Sequence, residues 1–367
     1  MSLKRVILKI GSNSLASSNG GLSGVVLDRL AYTISAFREG GAECILVSSG
    51  SQAAGMSKLN LTRRPQDLIG RQALAAVGQG ILIEKYSYFF AKYDQICAQI
   101  LLSPTDLGAA DHYRNAQNTI NKLLKMGVVP IINENDTVVV DELCFGDNDR
   151  LSALVAGMLQ GDLLIMLTDV DGLYTANPKK NAEAVHLPRV EDIAAVKDLA
   201  DGQGSAVGTG GMITKLKAAE MAANMGVPSF VTSFGHIGDL VGILRDEWPR
   251  GTYFVSKEHK LTGRKRWLTY GALTYGQIFI DAGAKRALEQ KGTSLLASGI
   301  VGLEGSWDRK EPVRIVGPDG EEVARGLAEL SSREISEVIG LHTDEVLTHF
   351  PGLTGGEIVH CDNMTVF

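Results

Sequence analysis

Up to about residue 255, short runs of aliphatic and β-branched residues alternate with longer segments whose apolar positions recur every three or four residues. That alternation restricts the chain to a sheet, mostly parallel, with helices packed on it. The runs at 6–10, 43–47, 96–102, 128–132, 163–167 and 227–232 are almost continuously apolar, as strands covered on both faces are. Helical spacing falls at 22–39, 66–92, 112–126, 151–160 and 212–225. Residues 137–146 depart from both patterns: Val138 and Val140 alternate with polar neighbours, which predicts a small hairpin. The expected fold class is α/β, a mostly parallel sheet sandwiched between helices, followed by a small β-rich domain.

The second domain is announced by a lapse in the pattern. Residues 257–266 read KEHKLTGRKR, and from 276 onward the segments shorten, with turns at Gly283, Gly292, Gly305, 318–320 and 351–352. The expected organisation is a first domain over 1–257, a linker over 258–275 and a compact module over 276–367. The basic triplet Arg264, Lys265, Arg266 reads as a solvated part of that linker. A length of 367 residues suits two domains of roughly 100–200 residues each, and 44% hydrophobic residues exclude a disordered chain. With a net charge of -6 the bulk field repels polyanions, which excludes a general nucleic-acid binder. Cys44, Cys97, Cys144 and Cys361 share no Cys-x-x-Cys spacing, so neither a zinc ribbon nor a disulfide framework is expected. The chain contains no apolar run of about 18 residues, and its short apolar start is interrupted by Lys9. A cytoplasmic protein without a membrane partner is expected.

In a parallel α/β sheet, ligands bind beyond the carboxyl ends of the strands. The residues there are Lys9-Ile10-Gly11-Ser12, Ser48-Ser49-Gly50, Asn133-Glu134-Asn135-Asp136 and Thr168-Asp169-Val170-Asp171-Gly172. Any one of them reads equally well as an ordinary strand-to-helix turn; together they suit an anion, because backbone N–H groups and helix dipoles converge at such loops. Lys9 fits the ordinary reading least. A lysine in the middle of an apolar strand is rare unless its charge is paired, and it is expected to face an anion. A second cation follows the glycines of Thr209-Gly210-Gly211-Met212-Ile213-Thr214-Lys215. This string is not a Walker A loop, and the protein-kinase H-R-D and D-F-G signatures are missing. Gly146-Asp147-Asn148-Asp149-Arg150 fails as a calcium loop, since Ser152 and Met158 stand where glycine and glutamate are required. Helix capping accounts for one of its aspartates; the acids could otherwise orient the two lysines or help hold Mg²⁺.

Taken in order, VILKIGSNSL at 6–15, ILVSSGSQAAGM at 45–56, VPIINEND at 129–136, FGDNDRLSALVA at 145–156, LTDVDGLYTANP at 167–178 and GTGGMITKLKAA at 208–219 resemble the amino acid kinase family. The stretches 280–284, 292–296 and 299–301 are similar to the PUA module that some of its members append. The two resemblances cover nearly the whole chain, and the ordered set is far more specific than any one string. Ser12 stands where the family often has threonine, which keeps the hydroxyl; Ala297-Ser298 stands where a PUA module usually has proline.

The resemblance implies an amino acid kinase fold and transfer of the ATP γ-phosphoryl group to the side-chain carboxylate of L-glutamate, the first step of proline biosynthesis. It also implies Mg²⁺ accompanying ATP, with no metal ligand assigned among the residues. Carried over from the motifs, Lys9 and Lys215 would stabilise the transferring phosphoryl group, Gly11 would donate an amide, and Asp149 would position both lysines. Ser49, Asp136, Asn148 and Asn133 would hold glutamate. ATP would lie across Thr168, Asp169 and the loop Thr209, Gly210, Gly211, Met212, Ile213, Thr214 and Lys215. Further implications are a homo-oligomer, namely a tetramer, feedback inhibition by proline, and a functional link to glutamyl phosphate reductase. The alternatives are aspartate or acetylglutamate as acceptor, UMP as a more distant one, and a PUA-type RNA-binding regulator, which the net acidity disfavours.

Overall fold

The apolar run at the amino terminus becomes the middle strand of the molecule's larger sheet. The computed structural model describes residues 3–17, 21–138, 148–178, 181–200, 210–257 and 263–367; the expected hairpin at 137–146 and Thr209 fall wholly or mostly outside these residues. The chain divides into two units, Met1–Leu107 with Asp111–Lys260, and Gly108–Ala110 with Leu261–Phe367. Among the described residues no helix is long and apolar enough to cross a membrane.

The strands of the first unit are β1 (Arg5–Ile10), β2 (Glu43–Val47), β3 (Ile96–Leu102), β4 (Val128–Glu134), β5 (Leu163–Thr168), β6 (Leu173–Tyr174), β7 (His186–Leu187), β8 (Arg189–Val190), β9 (Ser229–Ser233) and β10 (Thr252–Phe254). Its helices are α1 (Ser12–Leu15), α2 (Gly24–Glu39), α3 (Ser51–Lys58), α4 (Leu68–Ala91), α5 (Pro104–Gly108), α6 (Ala110–Lys125), α7 (Asn148–Leu159), α8 (Lys197–Ala200) and α9 (Gly210–Asn224); only the last residue of α5 and the first of α6 fall in the short segment that groups with the second unit. Eight strands form one sheet in the order β3-β4-β2-β1-β5-β9-β10-β8, while β6 and β7 make a separate antiparallel ribbon. β1 runs parallel to β2 on one side and to β5 on the other, with Lys9 opposite Val47 and Met166. The strand order reverses at β1, so a crevice opens at its carboxyl end.

Strand periodicity decides what β1 presents to each layer. Val6, Leu8 and Ile10 pack with Leu27, Leu30, Ile34 and Phe37 of α2, whose spacing of three and four marks one helix face. Ile7 and Lys9 therefore point to the opposite face. In α7 every residue except Arg150 is buried, so this helix lies inside the unit. A Cβ on Gly157 of α7 would stand 2.1 Å from Met225 Sδ, which shows how closely α7 meets the end of α9.

Three expectations need correction. The run at 96–102 was expected to be covered on both faces, yet β3 is the edge of its sheet, with Ile96 69% exposed; apolar content alone does not place a strand in the order. Residues 51–58, with no expected element, form α3, because Ser, Gln, Gly and Ala supply too few large apolar positions for a periodic signal. Finally, much of the expected linker is structured. α10 (Gly263–Arg266) runs into a helical turn at Trp267–Gly271. Arg266, Trp267 and Leu268 are buried, so the basic triplet is not a wholly solvated stretch.

The second unit continues with β11 (Gly276–Ile280), α11 (Ala282–Lys291), β12 (Leu295–Leu296), β13 (Ile300–Gly305), β14 (Pro312–Val316), β15 (Glu322–Leu327), α12 (Ser332–Ser336), α13 (Thr343–His349), β16 (Glu357–Val359) and β17 (Met364–Val366). Five strands pair in the order β13-β11-β14-β15-β17, and β12 pairs with β16. Ile278, Ile280, Trp307, Val313 and Ile315 give this unit its own core. Asp281 caps α11, accepting a hydrogen bond of 2.7 Å from the Ala284 N–H, which is the role its place before the helix prescribes.

Candidate active site

Lys9 and Lys215, 206 positions apart in the numbering, meet on one carboxylate. Lys9 is 1% exposed and Asp149 0%, and the Lys9 ammonium pairs with Asp149 Oδ1. Lys215 Nζ lies 3.1 Å from Asp149 Oδ2 and also donates to the Gly211 carbonyl at 3.1 Å. Thr214 Oγ1 donates to the same Asp149 Oδ2 at 2.9 Å. Three elements converge here: β1 turns Lys9 away from α2, the first turn of α7 supplies Asp149, and the first turns of α9 supply Thr214 and Lys215. A buried carboxylate without partners would cost several kcal/mol; shared between two ammonium groups, it fixes both and offsets their mutual repulsion. Positive charge predominates among the three, at the floor of a cavity.

That cavity has a volume of about 860 Å³, and the described residues that line it all belong to the first unit. Lys9, Gly11, Thr168, Asp169, Gly211, Met212 and Lys215 line it, as do Ser49, Asn133, Asp136 and Asn148. Gly11 lies at the end of β1, where a Cβ would come 3.6 Å from Lys9 Nζ. Thr168 Oγ1 donates to Asp169 Oδ1 at 3.0 Å. Among the described residues, Asp149 and Thr214 lie beneath the lysines without lining the cavity and Ile213 belongs to α9 without reaching the wall, while Gly210 opens α9. Gly211, in the first turn of α9, stands beside the Lys215 ammonium, a Cβ there coming 3.9 Å from Lys215 Nζ, and a helix start with room at its first residues is suited to phosphate oxygens.

The other half of the wall is a fixed polar network. Asn148 donates through Nδ2 to the Ser48 carbonyl, to Ser49 Oγ at 2.9 Å and to Asn133 Oδ1 at 2.8 Å. Asn133 in turn donates to Gln79 Oε1 at 2.8 Å, and Ser48 Oγ is 2.7 Å from the Tyr86 hydroxyl. Asp136 accepts a hydrogen bond of 3.0 Å from Ser51 Oγ. Burial pushes the Asp136 carboxyl above its ordinary range, and hydrogen bonds from Ser51 and Gln52 and the Arg64 charge draw it partly back.

Sequence reasoning missed several residues of this wall. Ser51, Gln52, Met56 and Arg64 line the cavity from α3 and the segment after it. Ser51, Gln52 and Met56 belong to the string at 45–56 but were given no role, whereas Arg64 lies in no motif and follows no apolar run. Glu134 is on the wall and 7% exposed, and the motif at 129–136 contained it. Tyr174, Asn177, Pro178 and Leu199 also line the cavity; the first three belong to the string at 167–178, whereas nothing in the sequence singled out Leu199.

Comparison with known proteins identifies the family of each domain. Residues 4–233 match the amino acid kinase family and residues 276–350 the PUA domain. The chain is 55% identical to the glutamate 5-kinase of Desulfitobacterium hafniense (strain Y51), covering 99% of this chain and 98% of that protein. It is 42% identical to the glutamate 5-kinase of Moorella thermoacetica, over 99% and 96% respectively. Among solved structures, UMP kinase from Ureaplasma parvum aligns with a TM-score of 0.50 at 14% identity, covering 70% of this chain and 100% of that one. Carbamate kinase from Giardia lamblia bound to AMP-PNP aligns with a TM-score of 0.50 at 20% identity, over 69% and 99%. These two likenesses concern the fold, while the first two extend along the whole sequence: the chain belongs to the amino acid kinase family, in its glutamate 5-kinase group.

Proposed function

We propose that the protein transfers the γ-phosphoryl group of ATP to the side-chain carboxylate of L-glutamate, giving glutamyl 5-phosphate at the entry to proline biosynthesis. The observation that carries this reading is the meeting of Lys9 and Lys215 on Asp149 beneath a cavity with a polar half and a helix-start half. A glutamate carboxyl titrates near 4.3, so it is ionised at neutral pH and no general base is required. The difficulty is that an anion must approach a polyphosphate whose charge shifts during transfer. Lys9 and Lys215 take up that charge, Gly11 donates its amide, and Asp149 keeps the two ammonium groups in place so that little reorganisation accompanies the transition state.

Glutamate is held by Ser49, Asn133, Asn148 and Asp136, the last taking its ammonium group. ATP lies across Thr168, Asp169 and the residues from Thr209 to Lys215. Asp149, with both oxygens engaged by ammonium groups, does not serve as a metal ligand. Glu134, Asp136 and Asp169 are the other carboxylates on the described wall; Mg²⁺ would be held mainly by the nucleotide phosphates, since it commonly takes few protein ligands. Its chemistry is to neutralise phosphate charge. The product is a reactive acyl phosphate, which requires prompt reduction and so agrees with a functional link to glutamyl phosphate reductase. A homo-tetramer, proline as feedback inhibitor and a cytoplasmic location complete the reading.

The test is ATP consumption with glutamate, aspartate, acetylglutamate and UMP offered separately, with hydroxylamine to trap an acyl phosphate. Glutamate alone should yield hydroxamate at a substantial rate; a preference for any other acceptor rejects the reading. Within it, Lys215→Ala should lower kcat by at least about 100-fold with the circular dichroism spectrum unchanged.

A further inference from the structure

We propose that Arg64 is the specificity residue that reads the α-carboxylate of the amino acid substrate, beside Asp136, which takes the ammonium group. The inference rests on the glutamate reading above and adds to it the residue that distinguishes an α-amino acid from other carboxylates.

Arg64 belongs to the segment between α3 and α4, whose far end is anchored by Asp67, the cap of α4, accepting from Gly70 N–H at 2.7 Å. Its side chain lines the cavity and is exposed. Among the described residues it makes no hydrogen bond or ion pair at bonding distance; the carboxylate that feels its charge is Asp136. Asp136 is itself held, by Ser51 Oγ at 3.0 Å and by the Gln52 side chain, so its position is fixed before a ligand arrives. Ser49, Asn133 and Asn148, which complete this part of the wall, are neutral and bonded to one another.

The charge pattern matches a zwitterion. Glutamate brings three ionised groups. Its reacting carboxylate is claimed by Lys9 and Lys215, and its ammonium group by Asp136, which leaves the α-carboxylate as the anion still lacking a partner. A guanidinium presents two parallel N–H donors to a carboxylate and keeps its charge at any physiological pH. Among the described residues of the cavity wall it is the cationic side chain that the Asp149 pairing does not already engage.

The test compares L-glutamate with L-isoglutamine, which keeps the ammonium group and the side-chain carboxylate but carries an amide at the α-carboxyl. The comparison uses the KM of glutamate and the competitive inhibition constant of isoglutamine in the full-length enzyme. The native enzyme should favour glutamate by on the order of 100-fold, as expected where a charged site meets a ligand lacking its partner. In Arg64→Ala the ratio should fall to about threefold or less through a higher glutamate KM, with the KM for MgATP unaltered, and Arg64→Lys should recover part of the preference. A preference that survives Arg64→Ala, or a rise in the MgATP KM equal to that for glutamate, overturns the proposal. A native enzyme that phosphorylates no glutamate refutes the earlier reading instead, before any variant is made.

Discussion

Asp136 carries a burial cost in the free protein that Ser51, Gln52 and Arg64 offset only in part. Burial raises its carboxyl above the ordinary value, so the folded chain binds a proton there more tightly than the unfolded chain does. Stability then falls as pH rises through that window, and the penalty is fully present once the pH exceeds the raised value. Asp136→Asn should therefore raise Tm at pH 7, the gain shrinking as the pH is lowered toward 4, while the KM for glutamate rises by about 10-fold or more and the KM for MgATP stays put. Thermal scans across pH and initial-rate kinetics check the two halves separately. At this scale the sequence was informative about charged residues in apolar surroundings. Lys9 stood out because an apolar strand rarely holds an ammonium group, and Asp149 because one cap cannot use two aspartates. Gln52 and Arg64 did not stand out, since polar residues after a helix start are ordinary until the fold brings them to a cavity wall.

The elements around the site are placed by close backbone approach. A Cβ on Gly78 of α4 would stand 1.7 Å from the Ser51 carbonyl oxygen, so α3 lies directly against α4 and brings Ser51 and Gln52 to the cavity. Gly78→Ala should destabilise the fold by about 2–3 kcal/mol, because backbone cannot yield as a flexible side chain can, and should raise the glutamate KM through displacement of α3. Denaturant unfolding at constant m-value, together with kinetics, would show both. α2 was legible because its apolar residues repeat on one face above a strand with the matching alternation. α3 was not, since a helix defined by small residues at a close contact has no hydrophobic stripe. β3 was recognisable as a strand but not as an edge strand, for strand order depends on which connections cross the sheet rather than on the residues of one run.

For the whole molecule, the cavity is bounded by residues from Lys9 to Lys215, and each unit has its own apolar core. Residues 1–260 expressed alone should retain MgATP-dependent hydroxamate formation from glutamate, with both KM values within about threefold of the full chain. Loss of cooperative unfolding in that fragment would count against it. The sequence by itself determined the α/β class, the change of pattern near residue 257 and the set of polar residues at strand ends, because hydrophobic periodicity and short-range spacing are written locally. The family resemblance named Asp149 as the residue between Lys9 and Lys215; tertiary structure alone decided that each lysine takes a different oxygen of it, that the basic triplet is partly buried, and that Arg64 reaches the same cavity as Asp136. Those relations join residues tens to hundreds of positions apart, and such distances close only when the sheet order and helix packing are set.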